Sequence, residues 1–175
     1  MNKSFTIAAI ILGIVLIQGC ASTRTTKGVQ FRPLQSDRIA VMPFAGEYGE
    51  QAADFVAEEL LMNGFRVVER SRVEQVLREL NFSGDPRFDS TTLPAIGRQL
   101  GLKEVLVGSI SAVGGPLYSY KHVNISLRLV DVETSDVLWV ARYGNPMWSS
   151  AISTQGDIQR GARHLAREFV NAFGR

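Results

Sequence analysis

The single cysteine of the chain, Cys20, is the residue whose chemistry is most restricted by its position. It follows an apolar run from Phe5 to Ile17, which is broken only by Thr6 and preceded by the positive charge of Lys3. A sole thiol has no partner for an internal disulfide and no second cysteine with which to build a metal site. Covalent modification of its sulfur is the chemistry that remains.

The apolar run has the features of a secretory signal. As a helix its 13 residues would be about 20 Å long, at about 1.5 Å per residue. A membrane core of roughly 30 Å needs about 20 residues. A basic start, a short apolar region and the small residue Gly19 at its end therefore predict a signal peptide over residues 1–19 rather than a transmembrane helix.

The end of this signal, Leu16-Ile17-Gln18-Gly19-Cys20, resembles the bacterial lipobox, with an aliphatic residue three before the cysteine and a small one directly before it. In proteins with this motif the cysteine sulfur receives a diacylglyceryl group, the signal is cut before the cysteine, and the new amino terminus is acylated. The resemblance implies cleavage between Gly19 and Cys20 and lipidation of Cys20. A leftover buried cysteine or an uncleaved anchor are the alternatives.

The lipid would attach the protein firmly, because one fatty chain binds only marginally whereas several add their contributions. By the sorting rules of lipoproteins in general, aspartate after the cysteine retains a protein in the inner membrane. This chain has Ala21 there. We therefore expect it at the outer membrane, on the periplasmic side.

No other residues form a pattern typical of catalysis. His122 and His164 have no partner at ligand spacing, so we predict neither a metal site nor a catalytic role for them. Gly114-Gly115-Pro116 is not a phosphate loop, because no Lys-Ser/Thr follows it and no helix begins there. We predict a protein that is not an enzyme, without cofactor, metal or small-molecule substrate.

The two tryptophans and the acidic pairs have structural interpretations. Trp139 lies in a predicted hairpin and is expected in the core, whereas Trp148 lies in the following loop and is a possible interface residue. The pairs Glu58-Glu59 and Asp131/Glu133 are predicted to be solvated on a helix exterior and in a turn.

Composition excludes some partners and limits the number of domains. Residues 1–19 contain one of the 19 basic residues, so the predicted mature chain has 18 basic against 17 acidic residues. A nucleic-acid partner is not expected, because such proteins usually carry a clustered basic excess. Residues 20–36 lack periodicity and are interpreted as a lipidated tether, and residues 37–175 are enough for one domain.

The hydrophobic pattern predicts an α/β domain with the order β-α-β-α-α-β-β-β-α. Alternation over residues 122–129 indicates a strand with one covered and one wetter face. Ser71 to Glu74 reads as a capping box, and Asp157 as the start of the last helix. We expect a three-layer-like arrangement with a mixed sheet of about five strands, parallel in its first half and antiparallel in its second. Strands are predicted at 38–44, 65–68, 104–110, 122–129 and 137–143, and helices at 49–63, 72–80, 93–100 and 157–173.

Four segments carry a family resemblance: "RIAVMPF" (38–44), "GFRVVERSRVEQVLREL" (64–80), "LGLKEVLVGSI" (100–110) and "ISLRLVDVETSDVLWVARY" (125–143). Together they resemble the periplasmic domain of the curli secretion component CsgG and its relatives, a superfamily that also contains the N-terminal domain of TolB and LpoB-like lipoproteins. One departure is Ser135-Asp136, where the family's hairpin turn usually has glycine. The resemblance implies a lipidated, periplasm-facing domain that assembles into a ring.

In the secretion channel each subunit adds membrane-spanning hairpins. A membrane strand takes about 9–11 residues, so each hairpin needs more than about 20. The segments 111–120 and 144–156 are too short without dismantling the soluble sheet. This sequence therefore resembles the family's domain without its pore, although a pore formed by rearranged strands remains an alternative.

Two functions of different class follow. One is a non-enzymatic assembly or accessory subunit of a secretion or envelope machine, which forms homo-oligomers or docks on envelope proteins. The other is a regulator that binds and activates a cell-wall synthase, as the LpoB-like lipoproteins do. A tether of 16 residues over 21–36 reaches at most about 55 Å, whereas the activator type carries a much longer linker. The short tether favours the first function.

Overall fold

The structure, a computed structural model, describes residues 22–28, 31–81, 92–113, 122–145 and 154–174. Within these ranges the chain forms one mixed sheet with helices on both faces, as the sequence predicts. No helix in these ranges is both long and apolar enough to cross a membrane.

The sheet has six strands in the spatial order β1-β6-β5-β4-β2-β3. Strands β3, β2 and β4 are mutually parallel, whereas β4, β5, β6 and β1 are antiparallel neighbours. The predicted division into a parallel first half and an antiparallel second half is confirmed. The strands are β1 Ser22–Lys27, β2 Arg38–Val41, β3 Arg66–Val67, β4 Glu104–Val113, β5 His122–Asp131 and β6 Val137–Gly144.

In the described part of the chain four helices cover the sheet in two layers: α1 Gly49–Met62, α2 Arg70–Glu79, α3 Thr92–Leu100 and α4 Thr154–Phe173. Helices α1 and α4 pack together over one face, against side chains such as Leu106, Ile125 and Tyr143. Helices α2 and α3 cover part of the other face, where the strands contribute residues such as Ala40 and Val107. The three-layer arrangement follows from these two separate apolar clusters.

The main core centres on Trp139, which is fully buried. Its ring meets Phe169 at 5.5 Å and Phe173 at 6.1 Å between centroids, both edge to face. Such aromatic pairs contribute roughly 0.5–1.5 kcal/mol beyond the area they bury. The prediction of Trp139 as a core residue is confirmed, and these contacts fix α4 on β6.

Two predicted helix starts differ from the structure. Helix α2 begins at Arg70, because the carboxylate of Glu69 rather than the side chain of Ser71 caps it and accepts a hydrogen bond from the Ser71 N–H at 3.3 Å. Helix α4 begins at Thr154, and Asp157 is buried inside its first turn. Helix α1 ends as predicted, since Gly64 has a φ of 85° and Phe65 N–H donates to the Leu60 carbonyl.

Strand β1 lies in the segment that the sequence pattern indicated to be an irregular tether. Residues 22–27 pair with β6 along their whole length, from Ser22 opposite Gly144 to Lys27 opposite Trp139. The interpretation of residues 20–36 as a structureless tether is therefore wrong for this part. The apolar pattern could not reveal β1, because it is an edge strand whose described side chains are exposed.

Gly28, the residue after β1, also packs closely against the backbone of β6. Its N–H donates to the Leu138 carbonyl at 2.9 Å, and a Cβ added to it would lie 2.2 Å from the backbone oxygen of Val137. We expect Gly28→Ala to lower the free energy of unfolding of the mature protein by about 1–3 kcal/mol, because the backbone of β6 must move. Urea unfolding measures this loss.

The matched control is Thr26→Ala, which changes an exposed side chain of the same strand and should alter the free energy of unfolding by less than about 0.5 kcal/mol. Equal unfolding midpoints for the two variants would show that the end of β1 is not packed on β6 in solution.

Candidate functional surface

The residues that the sequence analysis considered for a function fall into two groups. Gly19, Cys20 and Trp148 lie outside the described residues. His122 begins β5 on the face away from α1 and α4, whereas His164 lies in α4, with its ring 6.0 Å from that of Tyr143. The sheet separates the two histidines, and nowhere in the described ranges do three His, Cys, Asp or Glu side chains form a cluster able to hold a metal.

A salt-bridge cluster attaches the N-terminal segment to the sheet. Arg32 Nη1 donates to Glu104 Oε1 at 2.5 Å, and Nη2 donates to Asp131 Oδ2 at 2.6 Å. Glu104 and Asp131 are cross-strand neighbours on β4 and β5. The carboxylate of Glu104 is almost fully buried, and Arg32 supplies the positive partner without which this buried charge would be unpaired.

Asp131 is also held by the turn that follows β5. Its Oδ1 accepts hydrogen bonds from the backbone N–H groups of Glu133 and Thr134 at 2.8 and 2.9 Å. Partial burial opposes ionisation, but these hydrogen bonds and the Arg32 guanidinium together lower the pKa of Asp131 below its ordinary value. The prediction that this carboxylate is a solvated turn residue is wrong, because Arg32 binds it from the N-terminal segment.

The other buried acids join helices to each other and to the sheet. Glu59, predicted to be solvated, is buried between α1 and α4 and accepts from Arg167 Nε at 2.8 Å. Asp157 accepts from the Asn145 amide at 2.9 Å, and Asn145 Oδ1 accepts from the Val123 N–H at 2.8 Å. These contacts link α1 to α4, and α4 to β5 and the end of β6. They give the buried carboxylates of Glu59 and Asp157 a structural role.

The antiparallel half of the sheet has a polar face, which we call the open face. It is the side of β1, β6, β5 and β4 that points away from α1 and α4, and none of the four described helices packs on its central part. A broad depression of about 880 Å³ occupies its end near Gly144. The residues of the open face are Arg24, Thr26, Ser109, Ser111, Asn124, Ser126, Arg128, Val140 and Arg142.

The open face places three arginines close together. Arg24 on β1 and Arg142 on β6 are directly opposite each other, and Arg142 is in turn opposite Ser126 on β5. Arg128 is opposite Val140, two residues along β6 from Arg142, so the two arginines are diagonal neighbours at about 7–8 Å. Side chains directly opposite in an antiparallel pair have Cβ atoms about 4.5–5.5 Å apart. The register thus concentrates positive charge on a surface of otherwise small polar residues.

A comparison with protein families identifies the class. The family described as the curli production assembly/transport component CsgG matches residues 29–156, which is more than half of the chain. The protein therefore belongs to the CsgG family, and the resemblance found in the sequence is confirmed. A comparison with curated protein sequences gives no match.

Solved structures share the fold at low identity. A dodecameric variant of PelC from Paraburkholderia phytofirmans is 16% identical with a TM-score of 0.53, covering 89% of this chain and 100% of that one. Lipoprotein GNA1162 from Neisseria meningitidis is 21% identical with a TM-score of 0.51, covering 77% and 98%. The LpoB C-terminal domain from Escherichia coli is 15% identical with a TM-score of 0.49, covering 68% and 90%. The first two likenesses establish a common fold.

The sequence contained part of the signal for the open face. Alternation in β5 placed Asn124, Ser126 and Arg128 on its wetter side, which is confirmed. The same alternation in β6 could have placed Arg142 there. Arg24 could not be added, because its strand was not recognised, although the threonines around it are typical of strands.

The cluster around Arg32 predicts a specific loss of stability. Arg32→Gln leaves the buried Glu104 carboxylate without its cation, and we expect the free energy of unfolding at neutral pH to fall by about 2 kcal/mol. This is less than the ~3–5 kcal/mol of a fully buried pair, because 29% of the Arg32 side chain is exposed. Denaturant unfolding measures it.

Arg66→Gln is the matched control, because it breaks the exposed Arg66–Asp37 pair, with side chains 69% and 46% exposed, and should cost less than about 0.5 kcal/mol. The pKa of Asp131 is lowered from 3.8, so its contribution is present above that pH and lost as the pH falls through the folded value. The difference between wild type and Arg32→Gln should therefore narrow in acid. A constant difference would contradict the role assigned to Arg32.

Proposed function

We propose that this protein is a lipid-anchored subunit of the bacterial outer membrane that faces the periplasm and serves as a non-enzymatic accessory of an export or envelope assembly. Acyl chains on Cys20 attach it to the bilayer after residues 1–19 are removed at Gly19. The observation that carries the proposal is membership of the CsgG family in a chain whose lipobox-like motif precedes the matched region.

The position of β1 supports attachment close to the membrane. The described domain begins at Ser22, two residues after Cys20, and two residues span at most about 7 Å. A domain held this near to its anchor acts beside the bilayer. A regulator that must reach an enzyme through the cell wall needs a longer linker, so the geometry favours the accessory subunit.

The pairing of the central strands supports a subunit without pore-forming hairpins. Strands β4 and β5 pair as far as Val113 opposite His122, which leaves the segment 114–121 between them. Eight residues are well below the more than about 20 that a membrane hairpin needs.

Assembly with further copies is the second part of the proposal. The similar PelC structure is a dodecamer, and the family description names an assembly and transport component. We propose that the mature protein forms a closed homo-oligomer on the membrane, with Trp148 as a candidate contact residue between copies or with a partner.

The anchor has a direct test. Mass spectrometry of the mature amino terminus should find Cys20 as the first residue with diacylglyceryl and acyl groups attached. A variant can be secreted with the signal peptide of a soluble protein, so that its mature chain begins at Ala21. This variant should appear in the soluble periplasmic fraction, because it lacks the sulfur that carries the lipid. Its circular dichroism should match that of the anchored protein.

An unmodified amino terminus, or continued membrane fractionation of the chain that begins at Ala21, would show that lipid on Cys20 is not the attachment.

Oligomeric state distinguishes the two functions. Sedimentation of the acylated protein in detergent should give a complex many times the 19.3 kDa of the precursor chain. Trp148→Ala should reduce that mass if the residue lies between copies, whereas Trp139→Phe, in the core, should leave it unchanged. A strictly monomeric protein would favour the regulator of a cell-wall synthase.

A further inference from the structure

The three arginines of the open face have no anionic partner in the described part of the chain. None of the face positions on β1, β6, β5 and β4 carries an acidic residue, since those strands place only Arg, Ser, Thr, Asn, His, Gly and aliphatic side chains there. Arg24, Arg128 and Arg142 form no ion pair within the described ranges, and Arg128 Nε is buried without a hydrogen-bond partner. Like charges directly opposite across a strand pair destabilise it. The arrangement is one that an external anion would stabilise.

The chain connects this cluster to the position of the proposed anchor. Arg24 follows Cys20 by four residues, so their Cα atoms are at most about 14 Å apart. Strand β1 enters the sheet at Ser22 opposite Gly144, and the depression on the open face lies at this same end. An acylated Cys20 would thus hold the cluster within reach of the headgroups.

We propose that the open face rests on the membrane, where Arg24, Arg128 and Arg142 bind the phosphate groups of anionic phospholipids in the leaflet that holds the acyl chains of Cys20. The proposal rests on the anchoring described above. The planar guanidinium group of arginine is well suited to binding phosphate, because its N–H donors can form two parallel hydrogen bonds to the phosphate oxygens. In this orientation α1 and α4 face away from the bilayer.

A second copy of the chain is a weaker candidate for this face. One acidic surface that it offers is the exterior of α1, with Glu50, Asp54 and Glu58. Glu50 and Asp54 already pair with Arg70 of the same chain, and Glu58 pairs with Arg163. The headgroups offer unpaired negative charge, whereas this helix offers charge that is already neutralised.

The experiment uses the mature acylated protein in vesicles of phosphatidylcholine, with or without phosphatidylglycerol. Because lipidation consumes the sulfur of the sole cysteine, Ser111→Cys introduces one thiol for a fluorescent label on the open face, where Ser111 is exposed. Asn171→Cys, exposed on α4, labels the opposite side of the sheet. A quencher attached to lipid headgroups reports which label is near the membrane.

We expect quenching of the Ser111→Cys label, and not of the Asn171→Cys label, in vesicles with phosphatidylglycerol. The quenching should decrease at high salt, because the contact is electrostatic. Replacing Arg24, Arg128 and Arg142 together by Gln should abolish the preference for anionic vesicles. The equilibrium constant for contact between the open face and the anionic membrane should fall about fivefold for each arginine replaced. The acyl chains should keep this variant in the vesicle fraction.

The matched control replaces Arg72, Arg78 and Arg98 by Gln, removing the same charge from exposed positions of α2 and α3. It should retain the quenching. Equal quenching of both labels, a triple open-face variant that behaves as wild type, or energy transfer that places Ser111→Cys labels of two copies face to face would overturn the proposal. If the protein lacks acyl groups by mass spectrometry, the anchor and this orientation both fail, whereas acylated protein with an unquenched label refutes the orientation alone.

Discussion

Burial of one face of the antiparallel half-sheet under α1 and α4 is the constraint on which the rest of the structure depends. Trp139 and Phe169 meet at the centre of this contact, each fully buried. Because strand side chains alternate, committing Trp139, Ala141 and Tyr143 to the helices directs Arg142 to the other side. The polar composition of the open face is therefore a consequence of how the core is packed.

Buried acids then attach the outer elements to this core. Glu104, Glu59 and Asp157 are each nearly inaccessible to solvent and each accept a hydrogen bond from a side chain of another element. The ion pairs of Glu104 and Glu59 add little net stability compared with apolar residues, but breaking one leaves an isolated charge. They fix the N-terminal segment and α4 in one arrangement where apolar contact alone would be less selective.

The sequence predicted those parts of the fold whose signal is local. Alternation in β5, the spacing of Val56 and Leu60 in α1 and the glycine at position 64 each specify their element from neighbouring residues, and each is confirmed. Strand β1 was missed because its partner β6 lies more than a hundred residues away. The burial of Glu59 likewise depends on Arg167 from a distant helix, which no local pattern contains.

The candidate surface was predictable only in part for the same reason. Arg128 could be assigned to a wetter face from its own strand, but the meeting of Arg24 with Arg142 requires the register between the first and last strands. Cys20, in contrast, could be predicted from local sequence alone, because the enzymes that modify a lipobox recognise a short contiguous segment. Its lipidation stays a prediction, since the residue lies outside the described ranges.

The pairing of β1 with β6 also determines how the domain would carry mechanical load. A pull along the axis of β1, between an anchor at its start and the remainder of the domain, would shear all six residue pairs at once. A pull across the strand would instead open the pairs in succession from Ser22 and Gly144, as a zipper opens. Resistance to removal from a surface would then depend on the direction of the force, and a neighbour that pushes the domain sideways could detach its first strand more easily than one that lifts it along the strand axis.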